Sequence, residues 1–428
     1  MTSRISCMSD LPKRDTRVTW HPYTQHGVEA SPLPVVGARG AWLELADGRK
    51  LLDAISSWWA TLHGHSEPTL VEAMHEQAAR LDHVLFAGAT HEPAVQLAEG
   101  LLEVVPKGLS RVFYSDDGST AVEAGMKMVL QSWVHRREPE RRVFVALEGA
   151  YHGDTFGAMA AGDPDPFFTA FAPLMFEVRR VPADAGALAD ALDELGGRAA
   201  GFLLEPLLQG AAGMKVMSED FVRDARALCT DHGVPMIADE VMTGFGRTGA
   251  LFACGRAGIT PDVLCLAKGL SGGMLPLAAT VATEELFECF LHHERSRFFP
   301  HGHTFTANPV ACAVGVASLE LTLQRDVPAR LEMIGARIYD ELRPLEADPR
   351  VRDVRHLGGM AALDLVVPDG DAGYLSSRAP EIRRAAVEKG VLLRPLGDVL
   401  YALPPACTSD DEAGRIGQTM CALVDELC

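Results

Sequence analysis

The chain predicts an α/β protein: a large domain around a mostly parallel sheet, and a smaller α+β domain towards the end of the sequence. Three observations carry that expectation. Between residues 111 and 283 short apolar runs alternate with longer amphipathic ones. The short runs are almost continuously apolar, as strands covered by helices on both faces are. Beyond residue 328 charged helix-like stretches and brief strand-like ones follow a different rhythm. Alternation of the first kind marks strand–helix–strand units and therefore parallel sheet.

Taken in order, residues 1–65 hold several prolines and a β-rich stretch at 41–52. They are too few for a core of their own, and are expected to pack on the small domain or on a partner chain. Residues 66–327 read as the large domain and 328–428 as the small one. Strands are expected at 111–115, 143–147, 201–205, 235–239, 263–267 and 277–282. The spacing predicts a helix over 120–137, with Thr120 and Glu123 placed as a capping box. Ser218 should cap another that runs to about residue 232, with acids in its first turn and Gly233 closing it. Asn308 followed by Pro309 sets the start of an Ala- and Val-rich helix reaching residue 324. The tail reads as a helix at 329–345, strands at 351–356 and 360–367, a helix at 380–389 ended by Gly390, and strands at 391–394 and 399–403.

Composition narrows the function. Acidic residues outnumber basic ones by 58 to 39, a formal charge of −19. Such a surface repels phosphate backbones and anionic lipid heads, so neither nucleic acid nor membrane is an expected partner. The longest uncharged runs, 269–283 and 304–319, are too short and too rich in Gly, Pro and Ala for a span. The N-terminus has scattered charges and no apolar stretch of the signal-peptide kind. The nine cysteines are odd in number and nowhere form C-x-x-C, which disfavours a disulfide framework and fits a reducing cytoplasm. His63-x-His65 and His301-x-His303 lack a matching carboxylate or cysteine set, so no metal is expected.

One motif misleads. Residues 244–249 spell G-x-G-x-x-G, but four residues separate the first glycine from the end of the strand at Asp239, and no helix opens after the last. A dinucleotide site needs both, so the glycines read as a tight loop. Between a strand and a helix, the stretch Ser115 to Thr120 offers Gly118 for close backbone approach, and Ser119 and Thr120 as hydroxyl donors. A helix N-terminus there would attract a phosphate, or it is simply a capped helix start. Asp239 and Lys268 each end an apolar run, VPMIAD and VLCLAK. Strand ends of that kind face the crevice where α/β sheets hold ligands. A lysine among apolar neighbours is costly unless its pKa falls or it is covalently engaged, although a snorkelling lysine would also fit. Pyridoxal 5′-phosphate uses such a set: an amine to link to, a carboxylate on its ring nitrogen and a cradle for its phosphate. Tyr151, just after the strand at 143–147, offers a ring to lie on the coenzyme, or is a core tyrosine.

With GAYHGDTFGAM, ADEVMTGFGRTG, DVLCLAKGLSGGMLPLAAT and GHTFTANPVACA together, the chain resembles the class III, fold-type I aminotransferases that use pyridoxal phosphate. The resemblance implies that Lys268 forms the Schiff base, Asp239 pairs with the ring nitrogen and Tyr151 stacks on the ring. It implies that Gly118 and Ser119 hold the phosphate, that Glu205 lies near the coenzyme, and that Thr304 reaches the phosphate of a neighbouring subunit in a homodimer. Trp20 to Thr24, the run Ser56-Ser57-Trp58-Trp59, and Leu393 to Gly397 with Tyr401 resemble one branch of that family. That branch converts 8-amino-7-oxononanoate to 7,8-diaminononanoate in biotin synthesis, usually with S-adenosylmethionine as amino donor and in some members lysine. Tyr23, Trp58 and Trp59 then suit the apolar chain of the substrate, with Tyr23 also counted among the groups that act in the reaction. Arg394 suits its carboxylate, and Tyr151, His303 and Tyr401 complete the substrate contacts. The tryptophans could equally be core and Arg394 a structural ion pair. Two residues depart from the pattern: Asp117 stands where a serine is expected, and His303 where many relatives carry proline. The alternatives are an ω-amino-acid:pyruvate or ornithine-type aminotransferase, an aminomutase or racemase on the same fold, and a non-catalytic relative.

Overall fold

The computed structural model describes residues 10–368 and 373–427; Cys7 and Cys428, two of the thiols counted above, lie outside them. The six strands expected between residues 111 and 283 join one seven-stranded sheet, their ends shifted by a residue or two. Across it the order is Leu109–Ser115, Ala278–Thr283, Val263–Leu266, Met236–Asp239, Ala199–Leu204, Val143–Leu147 and Val178–Val181. Ala278–Thr283 runs antiparallel to both neighbours, and the other pairings are parallel. The seventh strand, Val178–Val181, escaped the sequence reading because it is an edge strand carrying two arginines and so makes no apolar run. The parallel strands all end on one side, which brings Leu147, Leu204, Asp239 and Leu266 to a single edge of the sheet.

The first helix after that sheet begins, Gly118–His135, corrects the expected cap. Its N-cap is Asp117, whose carboxylate accepts the Thr120 N–H at 3.0 Å, while the Asp117 N–H donates to the Thr120 hydroxyl at 3.1 Å. The capping box therefore lies three residues earlier than Thr120 and Glu123 suggested, and a carboxylate serves at this position as a hydroxyl does. Glu123 is engaged elsewhere, accepting the Gly157 N–H at 2.7 Å. Ser218 caps Glu219–Asp231 and Asn308 caps Pro309–Gln324 through their side-chain oxygens.

The two ends of the chain meet. Val35–Arg39, Trp42–Leu45 and Lys50–Asp53 form an antiparallel meander whose last strand pairs in parallel with Val391–Leu392. Beside it an antiparallel sheet of Val351–Leu357, Met360–Leu365 and Val399–Ala402 is backed by the packed helices Val327–Leu342 and Asp410–Leu427. The G-x-G-x-x-G stretch is a series of turns with Gly246 and Gly249 at φ +100° and +82°. It delivers Arg247, 1% exposed, to Ser56 Oγ and to the carbonyl oxygens of Trp59 and Pro404. That loop thus ties the large sheet to both chain ends. Among the described residues no helix is long and apolar enough to cross a membrane.

Candidate active site

A cavity of about 690 Å³ opens at the edge where the parallel strands end, lined by Gly118, Ser119, Tyr151, Glu205, Asp239 and Lys268 among others. Each arrives for a local reason. Gly118 and Ser119 open the helix Gly118–His135, eighteen residues long, whose first amides have no partner within the helix and carry its positive end. A Cβ on Gly118 would stand 2.5 Å from Val241 Cγ1, so only glycine lets the backbone approach there. Ser119 Oγ accepts the Thr155 N–H at 3.0 Å and shares a hydrogen bond with the Thr155 hydroxyl at 2.7 Å.

Asp239 closes its strand, 5% exposed. Its Oδ1 accepts the Val241 N–H at 3.0 Å, and its Oδ2 lies 2.7 Å from His152 Nδ1. The other ring nitrogen, His152 Nε2, is buried without a hydrogen-bond partner. His152 was present in the sequence reading only as a neighbour of Tyr151; the signal that could have found it is an imidazole following a strand end, opposite a carboxylate at another. Lys268 stands at the turn that follows Val263–Leu266, with φ +44°. Its Nζ lies 5.2 Å from the centre of the Trp59 ring. Loss of hydration lowers its pKa, against the pull of Asp239 and Glu205, so its neutral form is favoured.

Glu205 accepts the N–H groups of Tyr151 and Gly210 at 3.1 and 3.0 Å. Burial pushes its carboxyl up from 4.5 to about 7; His152 pulls against that and Asp239 adds to it. A raised value means that the fold favours the protonated acid. The stabilisation is complete below pH 4.5 and is lost as pH rises through about 7, a span of about 3 kcal/mol. Glu205→Gln should therefore flatten the pH dependence of the coenzyme-free protein. Urea midpoints at about pH 5 and about pH 8 check this, and equal losses in wild type and variant would count against it.

Tyr23 and Tyr151 converge on one acceptor. Their hydroxyls donate to Asp154 Oδ1 at 2.7 and 3.0 Å and lie 3.3 Å from each other. Burial, and Asp154 with it, pushes both phenols well above their ordinary range, so both stay protonated. Phe168 stacks beside Tyr151, its centroid 6.2 Å away. Trp58 meets Tyr23 edge-on at 5.6 Å and carries the Arg394 guanidinium 4.7 Å above its ring. Arg394 also donates to the Tyr23 carbonyl at 3.4 Å, and among the described residues no carboxylate lies in ion-pair range of it. A second cavity, about 340 Å³, joins Tyr23 and Arg394 to Phe167 and Tyr374.

Four residues named from the sequence stand outside both cavities, among them Trp58, which borders the smaller one only through its contacts to Tyr23 and Arg394. Tyr401 is 1% exposed and accepts the Trp59 indole N–H at 2.9 Å, so it reaches the site through Trp59 and lines neither cavity. His303 lies 3.2 Å from Asp116, one of the lining residues, and Thr304 is exposed outside the cavity of its own chain. Of the two histidine pairs, His63 bonds to Ser318 and His65 to Asp53, while His303 lies beside Asp116 and its ring meets that of His301 edge-on at 5.2 Å.

The features fit a coenzyme with an anionic group and a cationic ring. The helix N-terminus suits the anion, the carboxylate–imidazole pair suits a protonated nitrogen, and an amine of lowered pKa suits a carbonyl carbon. Fold and site together define an aminotransferase of class III, and the chain belongs to that family: the family model for aminotransferase class-III matches residues 23–424. Within it, the chain is 46% identical to the adenosylmethionine-8-amino-7-oxononanoate aminotransferase of Synechococcus elongatus, over 95% of this chain and 98% of that one. It superposes on the crystal structure of the enzyme of the same name from Methanocaldococcus jannaschii with a TM-score of 0.93, at 34% identity over 98% of this chain and 99% of that one. An amine transaminase from an uncultivated Pseudomonas species, solved in its PLP-bound form, matches with a TM-score of 0.90 at 29% identity over 96% of this chain and 99% of that one.

Proposed function

We propose that the chain transfers the amino group of S-adenosylmethionine to the carbonyl of 8-amino-7-oxononanoate, with pyridoxal 5′-phosphate as coenzyme, giving 7,8-diaminononanoate for biotin synthesis. The observation that carries the substrate is the wall of Tyr23 and Trp58 ending at Arg394, a cation with no carboxylate in ion-pair range among the described residues. An apolar chain that ends in a carboxylate fits that surface from one end to the other. The free thiols of the described residues fit a cytoplasmic setting. In a homodimer, Thr304, which is exposed, would reach the neighbouring subunit's phosphate site.

When bound, the coenzyme supplies a carbonyl carbon that links to amines and a ring that draws off the electron pair left as a proton departs. The residues do the rest. Gly118, Ser119 and the helix end behind them would hold its phosphate. Asp239, oriented by His152, would keep the proton on its ring nitrogen, and Tyr151 would cover one face of the ring. Lys268 Nζ takes the proton from the amine-bearing carbon of the donor and delivers it back on the coenzyme side; burial lowers its pKa and so shifts it towards the uncharged amine that can accept a proton. In the second half-reaction the same amine moves protons in the opposite sense, towards the carbon that was the ketone of the acceptor. Trp59 beside Nζ and the aromatic wall exclude water from this exchange.

Absorbance of the PLP-loaded protein tests the reading. S-adenosylmethionine should discharge the coenzyme's visible band, and 8-amino-7-oxononanoate should restore it. Discharge by lysine alone would move the donor assignment, and discharge by β-alanine with no response to the keto acid would move the substrate to an ω-amino acid. Arg394→Ala should raise KM for the keto acid by about 10- to 100-fold, as for a lost charged hydrogen bond, with a smaller change in kcat. An unchanged KM would remove Arg394 from the carboxylate.

A further inference from the structure

Four consecutive residues, Ser56, Ser57, Trp58 and Trp59, have φ of +49°, +45°, +80° and +68°. None is glycine. Each is strained in that region, and a run of four persists only where the surroundings over-determine it. The determinant is at hand. Asp53, 0% exposed, ends the strand just before the turn. Its Oδ1 accepts the N–H groups of Ile55 and Ser57 at 3.2 and 3.0 Å. Its Oδ2 accepts the Ser57 hydroxyl at 2.7 Å and lies 2.8 Å from His65 Nε2. Ser56 Oγ donates to the Leu403 carbonyl at 2.7 Å and accepts from Arg247 at 3.1 Å. Burial pushes the Asp53 carboxyl up, but the bonds from His65 and Ser57 outweigh it and hold the group below its ordinary range, as a carboxylate.

What the turn carries is the site itself: Trp58 beneath Arg394, and Trp59 between Lys268 and the Tyr401 hydroxyl. Relaxing the turn to right-handed backbone would swing both rings away together. Asp53 lines neither cavity; of the residues on the turn, Trp59 lines the larger cavity and Trp58 meets Tyr23 and Arg394 of the smaller one, so the turn links Asp53 to the site. We propose that Asp53 is a positioning residue: its carboxylate locks the left-handed Ser56-to-Trp59 turn and thereby sets the aromatic walls of the slot for the substrate's apolar chain. The use of the slot rests on the substrate reading above; the lock itself does not.

The test uses the full PLP-loaded chain. Asp53→Ala removes all four acceptor contacts, and should raise KM for 8-amino-7-oxononanoate about tenfold and alter the tryptophan signal in near-ultraviolet circular dichroism. Adding Ser57→Gly should recover part of both, since glycine enters the left-handed region without a clamp. Asp53→Asn, which keeps one oxygen for the two backbone donors, should fall between. If wild type does not use the keto acid, the substrate reading fails, and the dichroism alone decides the lock. An Asp53→Ala tryptophan signal identical to wild type, or a changed one that Ser57→Gly does not move back, overturns the proposal. Should the Asp53→Ala chain not fold, Asp53→Asn with and without Ser57→Gly is read in the same way.

Discussion

Lys268→Ala is expected to abolish turnover, lowering kcat by about 10⁴-fold or more, while leaving a folded protein. The size follows from what the cavity contains. Lys268 brings the one amine among the described residues that line it, and the other bases there are engaged, His152 with Asp239, Glu205 with two backbone N–H groups and Asp154 with the tyrosines, so none is free to take over the proton transfer. The fold is expected to survive because Lys268 is poorly served by its surroundings: loss of hydration already lowers its pKa, and no hydrogen bond in the described structure depends on its side chain. Removing a group that the fold disfavours in its charged form costs no stability by that route. Two measurements separate chemistry from unfolding. The thermal midpoint should match or exceed that of wild type, and a small primary amine added to the variant should restore part of the rate by standing where Nζ stood. Turnover near the wild-type level would remove Lys268 from the reaction.

The contrast between legible and hidden parts of this site has a physical basis. Asp239 and Lys268 were legible because each ends an apolar run, and parallel strands deliver their ends to one edge whatever lies between. Trp58 and Trp59 were legible as a dipeptide, but their conformation was not: no glycine announces the positive φ values, which come from hydrogen bonds to Asp53 and from Arg247. Arg247 lies nearly two hundred residues along the chain from Ser56, so no local pattern could link them. The same distance effect hid Tyr401 behind Trp59 and joined His152 to Asp239. Asp117 shows the reverse case. Its charge looked out of place beside a phosphate loop, yet its side chain is turned back on the Thr120 amide as a helix cap, leaving the amides of Gly118 and Ser119 to face the cavity.

Asp239→Asn should lower the rate of the first half-reaction by about 10³-fold, the scale of a lost electrostatic anchor in a dry site. The carboxylate now serves two donors, the Val241 N–H at 3.0 Å and His152 Nδ1 at 2.7 Å. An amide of the same shape keeps one acceptor and turns an NH₂ group towards the other place. It also carries no charge to hold a proton on the ring nitrogen of the coenzyme. These two losses can be told apart. If the carboxylate mattered only as the partner that orients His152, then His152→Gln, which breaks the same contact from the other side, would cost as much. If its charge does the work, Asp239→Asn should be slower than His152→Gln by at least about tenfold, because the carboxylate survives in the histidine variant. Single-turnover absorbance with S-adenosylmethionine, on both variants loaded with saturating coenzyme, gives the two rates directly. Equal rates would assign the pair an orienting role and take the electrostatic role from Asp239.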